Sequence, residues 1–248
     1  MASWRQLRRR AEKRIAHGLT RLFFPIVLPI REGPLQGKRW VVTSGIRFIR
    51  GNYEPAKTEA YLSAVKEGDV VFDVGAHVGY YSTIACQNVG KTGRVFAFEP
   101  HPLLNRFLKR HKQLNHLDNL EIITTAVGEK AGKVRFETRC GLGTGHIAED
   151  GAITVPVVSL DELVEQGRLP IPNVIKMDVE GAEIRALKGA SKTVGKYRPT
   201  IIVATHGAET HEFCIEFLTN LGYTLQHLNP NAIKGDREIL ATPPAQSE

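Results

Sequence analysis

From residue 68 onward, short runs of apolar and β-branched residues alternate with longer stretches in which apolar residues recur every three or four positions. The short runs are typical of buried strands, and the longer stretches are typical of amphipathic helices. We predict strands at residues 70–74, 94–99, 120–127, 174–178 and 200–205, and helices at residues 80–88, 103–115, 160–166, 182–189 and 210–221. Strands that alternate with helices in this way indicate an α/β domain with a mostly parallel sheet.

Two regions depart from this alternation. Residues 223–228 and 237–241 follow the last predicted helix, and their apolar pattern predicts a terminal pair of strands. Two further short strands are predicted near residues 133–138 and 154–158. They fall between the third and fourth main strands, so they form an insertion in the predicted α/β domain.

The N-terminal segment has a pattern and a charge of its own. Apolar residues recur there at helical spacing, which places them on one face of a helix: Trp4, Leu7, Ala11, Ile15, Leu19 and Leu22. The first 22 residues hold seven basic residues and one acidic residue, whereas the rest of the chain holds 26 basic and 25 acidic residues. The net charge of +7 therefore belongs to the N-terminus. The rest lacks the basic excess of a nucleic-acid-binding surface.

We therefore divide the chain into a basic appendage, residues 1–50, and one domain, residues 51–248. The apolar run at residues 22–30 is too short to span a bilayer, and no signal-peptide cleavage pattern follows it. Two interpretations stay open: residues 1–30 lie on an anionic membrane surface, or the helix packs on its own domain. Three widely spaced cysteines indicate a reducing compartment. We predict a cytoplasmic protein, peripheral at the inner face of a membrane under the first interpretation.

The first predicted strand of the domain leads into a glycine-containing turn. Asp73 ends the buried run, Gly75 and Gly79 follow, and a predicted helix begins directly afterwards. Amides at a helix N-terminus favour an anionic group, and Asp73 can accept hydrogen bonds from an ammonium group. Glu99, at the end of the second strand, can accept two hydrogen bonds from a ribose diol. The alternative interpretation is an ordinary strand-to-helix turn in which Asp73 caps the helix.

The spacing of the glycines separates two classes of cofactor. The dinucleotide pattern G-x-G-x-x-G is absent, because His77 stands at the middle position and the two glycines are four residues apart. S-adenosylmethionine carries both an ammonium and a carboxylate, and the predicted turn can satisfy both groups. The sequence therefore favours S-adenosylmethionine over NAD and indicates methyl transfer.

A second group of polar residues ends the fourth predicted strand. Lys176, Asp178 and Glu180 are two residues apart, so they point to the same side of an extended chain. Buried charges are costly unless they are paired or line a cavity, so this cluster is either a structural ion pair or a catalytic centre. Asp178 or Glu180 could orient an acceptor hydroxyl or take its proton, and His206 is the other candidate base. The two carboxylates could hold a divalent cation, but nothing in the sequence requires one, and we predict no metal site.

Four blocks of sequence resemble a known family: residues 51–55 (GNYEP), residues 68–82 with the glycine turn, residues 98–100 (FEP) and residues 175–183 (IKMDVEGAE). They resemble the FkbM family of methyltransferases over roughly residues 50–206. The resemblance implies a Rossmann-like class I methyltransferase fold, with seven strands, helices on both faces and an antiparallel last strand. It implies S-adenosylmethionine as cofactor, contacted by Tyr53, Glu54, Asp73, Gly75, Ala76, His77, Gly79, Ser82, Glu99 and Asp178. The candidate catalytic residues remain those of the polar cluster and the neighbouring strand end: Lys176, Asp178, Glu180 and His206.

This chain departs from the family pattern at two positions. His77 stands where such proteins usually carry Asn, and residues 204–206 end the fifth strand where a Glu is often found. The second departure bears on the acceptor. The resemblance implies O-methylation of a saccharide, glycolipid or secondary metabolite, and glycine-rich residues 140–145 could form a lid or part of the acceptor pocket. Two alternatives stay open: an RNA ribose methyltransferase and a non-catalytic nucleotide-binding module.

Overall fold

The computed structural model describes residues 26–138, 145–229 and 236–244. The chain divides into two compact units, residues 1–53 and 54–248. The predicted helix within the first 22 residues lies outside the described residues, as does most of the glycine-rich stretch at 140–145. Among the helices that are described, none is both long enough and apolar enough to cross a membrane.

The described residues form thirteen strands and eight α-helices. The strands are β1 Val27–Pro29, β2 Arg39–Val41, β3 Val70–Val74, β4 Arg94–Phe98, β5 Leu120–Ile123, β6 Ala126–Val127, β7 Gly132–Glu137, β8 His146–Ile147, β9 Ile153–Val158, β10 Val174–Met177, β11 Thr200–His206, β12 Thr224–His227 and β13 Asp236–Thr242. The helices are Ile46–Arg50, Pro55–Ala64, Tyr80–Asn88, Pro102–Leu114, Leu160–Glu165, Glu183–Lys188, Ser191–Tyr197 and Ala208–Asn220.

The larger unit is built on a seven-stranded sheet with the order β5-β4-β3-β10-β11-β13-β12. Strands β5, β4, β3, β10 and β11 are parallel, and β13 runs antiparallel to both of its neighbours. Side chains on both faces of β3 and β4 are buried, which is typical of central strands covered by helices on each side. The structure thus confirms the predicted mostly parallel sheet and the predicted terminal strand pair.

One predicted strand is wrong in extent. Residues 120–127 do not form a single strand, because the chain leaves the main sheet after Ile123. The next two residues that pair, Ala126 and Val127, lie parallel to Val157 and Val158 of β9. They belong to a separate four-stranded sheet with the order β6-β9-β7-β8, which has its own small apolar core. The continuous apolar pattern did not reveal this change of partner.

The smaller unit contains the antiparallel pair β1–β2 and a short helix, Ile46–Arg50. The ring of Phe48 lies 5.9 Å from that of Trp40 and 4.7 Å from that of Tyr53. The Arg47 guanidinium lies 5.0 Å from the centre of the Tyr53 ring. Tyr53, a predicted cofactor contact, thus packs within this unit, and its predicted role stays a prediction.

Candidate active site

The carboxyl ends of four parallel strands meet at one edge of the main sheet. Asp73 is the penultimate residue of β3, and His206 is the last residue of β11. Glu99 directly follows β4, and Asp178 directly follows β10. The strand order reverses between β3 and β10, and open α/β sheets bind their ligands beyond the carboxyl ends of the strands at such a point. We therefore place the candidate active site at this edge.

The turn after β3 approaches the end of β10 closely. The backbone amides of Gly75 and Ala76 both donate to the carbonyl of Phe98 over 3.0 Å, which ties the turn to β4. Gly75 has a φ of +80°, and a Cβ at this position would overlap the carbonyl oxygen of Asp178. A glycine in such a turn lets a ligand approach the backbone closely. The structure adds a second reason, the contact between two strand ends.

The remainder of the turn is also held in place. His77 and Gly79 have φ values of +54° and +91°, and the carbonyl of Val78 pairs with His111 Nδ1 at 2.8 Å. Burial lowers the pKa of His111 to about 4, against the opposing effect of this hydrogen bond. The imidazole is therefore neutral near pH 7, and it donates its Nδ1 proton to the turn.

Glu99 is 5% exposed, and backbone amides hold both of its carboxylate oxygens. Oε2 accepts from the His77 amide at 2.8 Å, and Oε1 accepts from the His101 amide at 2.7 Å. Burial raises the pKa of Glu99 to about 7, although the two amides and Lys176 lower it. Each carboxylate oxygen can accept two hydrogen bonds, so each has capacity for a hydroxyl of a ribose.

Asp73 is fully buried and organises its neighbours. Its Oδ2 accepts from Ser82 Oγ at 2.5 Å, and its Oδ1 lies 3.3 Å from Lys176 Nζ. Lys176 Nζ also donates to the carbonyl of Gly75 over 3.1 Å. Asp73 therefore holds Ser82 and Lys176 in place, while its predicted contact with a cofactor ammonium stays a prediction.

Asp178 lies between two lysines and a histidine. Its Oδ2 accepts from Lys57 Nζ at 3.2 Å and lies 3.9 Å from Lys176 Nζ, whereas its Oδ1 lies 3.9 Å from His206 Nε2. Burial raises the pKa of Asp178, but Lys57, Lys176 and His206 together outweigh it and lower the value to about 2. Asp178 is therefore ionised at any pH at which the protein is expected to work.

Lys57 was not identified from the sequence, although it is only 2% exposed and contacts three carboxylates. Besides Asp178, its Nζ lies 2.8 Å from Glu54 Oε2 and 2.7 Å from Glu238 Oε1. Tyr81 Oη also donates to Glu54 Oε2 over 2.9 Å. Burial lowers the pKa of Lys57, but the surrounding acidic groups raise it well above its ordinary value. This lysine links the helix Pro55–Ala64, the end of β10 and strand β13.

His206 faces carboxylates on both ring nitrogens. Nδ1 lies 2.8 Å from Glu183 Oε1, and Nε2 lies 3.6 Å from Glu180 Oε2. Glu183 Oε1 also accepts from the backbone amides of Val179 and Gly181. Burial lowers the pKa of His206, but Glu183, Asp178 and Glu180 raise it to about 9. Without a metal ion bound, His206 is therefore protonated near neutral pH, and its predicted role as a base stays a prediction.

Most of the predicted site residues come together at this edge. They are Asp73, Gly75, Ala76, His77, Gly79, Ser82, Glu99, Lys176, Asp178, Glu180 and His206, with Glu54 joined through Lys57. Glu238 was missed together with Lys57; it directly follows Asp236 and Arg237, so the sequence does not distinguish it from its charged neighbours. Asp178, Glu180 and His206 each offer one metal-ligating atom, and these atoms lie within 4.8 Å of one another.

The strand order, with its antiparallel last strand, defines the class I methyltransferase fold. A crystal structure of a methyltransferase FkbM from Methylobacillus flagellatus matches with a TM-score of 0.54 at 17% identity, over 80% of this chain and 53% of that chain. This similarity concerns the fold alone. The model of the methyltransferase FkbM domain matches residues 73–225, more than half of the chain. The chain therefore belongs to the FkbM methyltransferase family.

Two curated relatives extend the comparison. The hexuronic acid methyltransferase AglP of Haloferax volcanii is 30% identical over 167 residues, which cover 66% of each protein. The 2-O-methyltransferase NoeI of Sinorhizobium fredii is 26% identical over 153 residues, 54% of this chain and 62% of that protein. The match thus spans just under two thirds of the length of these relatives.

Proposed function

We propose that this chain is an S-adenosylmethionine-dependent methyltransferase that O-methylates a hydroxyl of a saccharide, glycolipid or secondary metabolite. One observation carries the proposal. The turn at Gly75 and the carboxylate of Glu99 lie at the same sheet edge as Asp178 and His206. A cofactor-binding turn and an ionised polar cluster are thereby brought together in a chain of the FkbM family.

The residues present fit S-adenosylmethionine. The two amides that hold Glu99 leave acceptor capacity on both of its oxygens for a ribose diol. The N-terminal amides of the helix Tyr80–Asn88 lie after the turn and suit the carboxylate of the cofactor. The acidic groups Asp73 and Asp178 suit its ammonium. When bound, the cofactor supplies a methyl group on a positively charged sulfur.

The residues of the acceptor side then orient a hydroxyl and remove its proton. Positioning alone can contribute about 7–11 kcal/mol to such a displacement, and a proton acceptor adds roughly 10²–10⁴-fold. Asp178 is permanently ionised, so it can hold the hydroxyl through a charge-assisted hydrogen bond. Glu180 is 39% exposed and can pass the proton to solvent. Lys57 and Lys176 keep Asp178 ionised and fix its orientation.

The names of the relatives guide the choice of acceptor. One is named for a hexuronic acid and another for 2-O-methylation. A polyhydroxylated acceptor would suit a site whose groups are carboxylates, lysines and a histidine. The nearly balanced charge after residue 22 supports a small molecule or a glycan rather than a nucleic acid.

The proposal is tested by incubating the purified protein with methyl-labelled S-adenosylmethionine and separate carbohydrate, lipid and RNA fractions. We expect label in a carbohydrate or glycolipid fraction. After hydrolysis of that fraction, the label should be recovered as the methyl ether of a sugar. The Asp178→Asn variant serves as the control and should transfer at least 100-fold less label in the same time, because a lost proton acceptor costs roughly 10²–10⁴-fold. Binding of NAD in preference to S-adenosylmethionine in calorimetry would contradict the proposal.

One observation favours RNA ribose methylation as a second candidate. Lys176 is two residues before Asp178 in the sequence, and Lys57 is a second lysine near it in the structure. The two Nζ atoms lie 3.9 Å and 3.2 Å from the same oxygen, Asp178 Oδ2. Two lysines flanking a carboxylate could orient a ribose hydroxyl. Label found in RNA and in no carbohydrate fraction would replace the first candidate with this one.

We further propose that the basic N-terminus brings the protein to the inner face of a membrane, where a lipid-linked acceptor would be present. The support is the amphipathic, basic pattern of the first 22 residues, which the structure does not describe. Deletion of residues 1–25 should leave S-adenosylmethionine binding unchanged and reduce co-sedimentation with anionic vesicles at low salt. Equal sedimentation of both forms would favour a helix packed on its own domain.

A further inference from the structure

Three atoms that can bind a metal converge beyond the ends of β10 and β11. His206 Nε2 lies 3.9 Å from Asp178 Oδ1 and 3.6 Å from Glu180 Oε2. Both distances are longer than a hydrogen bond. A single ion between the three atoms would lie about 2.1–2.4 Å from each, which is the length of a metal–oxygen or metal–nitrogen bond.

The other ring nitrogen of His206 is already oriented as a metal site requires. Glu183 is fully buried, and its Oε1 lies 2.8 Å from His206 Nδ1. Histidine ligands almost always donate their second N–H to a carboxylate or carbonyl, which directs the first nitrogen at the metal. Glu183 is itself fixed by the amides of Val179 and Gly181, and its Oε2 has no hydrogen-bond partner among the described residues.

The balance of charge at this edge points the same way. Six carboxylates belong to one connected group: Glu54, Asp73, Asp178, Glu180, Glu183 and Glu238. Two lysines, Lys57 and Lys176, lie among them. Even a protonated His206 leaves three more negative than positive charges, and S-adenosylmethionine carries a net charge of only +1. A largely buried excess of negative charge is costly and favours a bound cation.

We propose that Asp178, Glu180 and His206 bind one divalent cation, with Glu183 as the residue that orients His206. A donor set of two carboxylates and one imidazole suits Mn²⁺ or another first-row divalent ion better than Mg²⁺. Binding of the ion displaces the proton of Nε2. Three protein ligands leave positions open in the coordination sphere. Under the proposed function, on which this part of the inference rests, the ion would hold the acceptor hydroxyl and a neighbouring oxygen of the same molecule.

The experiment titrates the chelator-treated full chain with Mn²⁺ and follows the free ion by electron paramagnetic resonance, without cofactor or acceptor. We expect one Mn²⁺ per chain in the wild type. Glu180→Gln removes a ligand and Glu183→Gln removes the residue that orients His206, so each should weaken binding at least 10-fold. Glu165→Gln is the matched control, because Glu165 pairs with Lys192 away from the site, and it should bind Mn²⁺ as the wild type does.

Two outcomes overturn the proposal: no stoichiometric Mn²⁺ binding by the folded wild type, or unchanged binding by Glu180→Gln and Glu183→Gln. A circular dichroism spectrum for each variant shows that a loss of binding is not a loss of fold. The proposed function is tested separately in the same samples. Full methyl transfer by a chain that binds no Mn²⁺ would contradict the metal site and support the proposed function. Stoichiometric Mn²⁺ binding by a chain that binds no S-adenosylmethionine would support the metal site and contradict the proposed function.

Discussion

At the ends of β3 and β4, the carboxylates of Asp73 and Glu99 are almost fully buried, and every one of their oxygens lies within 3.3 Å of a donor. We call this region the cofactor half. At the ends of β10 and β11, Glu180 and His206 are 39% and 22% exposed and lie 3.6 Å apart. We call this region, with Asp178, the acceptor half. The first is organised by backbone amides and neighbouring side chains before any ligand binds, whereas the second keeps its groups partly exposed and at longer distances from one another.

The difference follows from what each half is expected to do. A cofactor that binds in one orientation is best served by preformed hydrogen bonds, because fixed groups lose little entropy on binding. The acceptor half must instead admit a hydroxyl and let a proton leave, so some of its polar atoms must stay within reach of solvent. Variants in the two halves should therefore change different measured quantities.

The largest effect is expected from Asp178→Asn in the acceptor half. The change keeps the shape of the side chain but removes the charge that faces Lys57 and Lys176. We expect kcat for methyl transfer to fall by roughly 10²–10⁴-fold. The affinity for S-adenosylmethionine should fall far less, because Asp73 keeps its charge and the new amide oxygen can still accept a hydrogen bond from the ammonium. Steady-state kinetics with labelled cofactor measure both, with Glu165→Gln as the control. A wild-type kcat in Asp178→Asn would mean that the cluster is structural.

A substitution at Gly75 tests whether the two halves are mechanically joined. A methyl group there would overlap the carbonyl of Asp178, and the φ of +80° is itself unfavourable for alanine. We expect Gly75→Ala to lower the free energy of unfolding by about 3 kcal/mol, of which about 1–2 kcal/mol comes from φ. Gly167→Ala is the control: its φ is +65° and nothing lies near its Cβ, so only the smaller loss should appear in urea unfolding. Equal losses would show that the strand ends are not in contact.

In the cofactor half, Glu99→Gln should act on binding and not on turnover. The amide oxygen can still accept one of the two backbone hydrogen bonds, but the NH2 group cannot accept the other, and the negative charge is lost. We expect Kd for S-adenosylmethionine to rise roughly 10- to 100-fold, the equivalent of about 1.5–3 kcal/mol, with kcat at saturation little changed. Calorimetry and saturating kinetics measure the two quantities. A variant with wild-type Kd and a reduced kcat would reverse the assignment of the two halves.

The sequence predicted the cofactor half well because its residues lie in continuous segments. Residues 71–74 of β3 are buried, and the turn that follows carries Gly75 and Gly79 four residues apart. Glu99 ends the next strand in the chain. Local pattern and order along the chain were therefore enough to place these groups at one edge.

Asp178, Glu180 and His206 of the acceptor half were predicted, but Lys57, which contacts Asp178, and its partner Glu238 were not, because they come from distant parts of the chain. Lys57 and Asp178 are 121 residues apart, and Glu238 comes from the last strand. The helix Pro55–Ala64 was also not predicted, because its buried side is half polar: Lys57 and Thr58 are buried together with Ala60 and Tyr61. Hydrophobic periodicity finds helices with an apolar stripe, and it does not find one whose buried side includes a lysine that contacts carboxylates.

The last prediction concerns how the stability of the cofactor half depends on pH. Burial holds the pKa of His111 at about 4, against an ordinary value of 6.5; Arg110 and His77 also lower it, and the hydrogen bond to Val78 raises it. The unfolded chain therefore binds a proton more readily than the folded chain between pH 6.5 and pH 4. The contribution of His111 to stability is complete above pH 6.5 and is lost as the pH falls toward 4, by up to about 3 kcal/mol.

His111→Gln removes this titration while leaving an amide that can donate to the carbonyl of Val78. We expect the free energy of unfolding to fall less between pH 7 and pH 4.5 in the variant than in the wild type, when both are measured by urea unfolding. His116→Gln is the control, because His116 is exposed and lies just after the helix Pro102–Leu114 that carries His111. This variant should show the wild-type pH dependence. If His111→Gln also kept the wild-type pH dependence, the turn would not depend on a buried neutral histidine. The cofactor half would then be less rigidly organised than its contrast with the acceptor half requires.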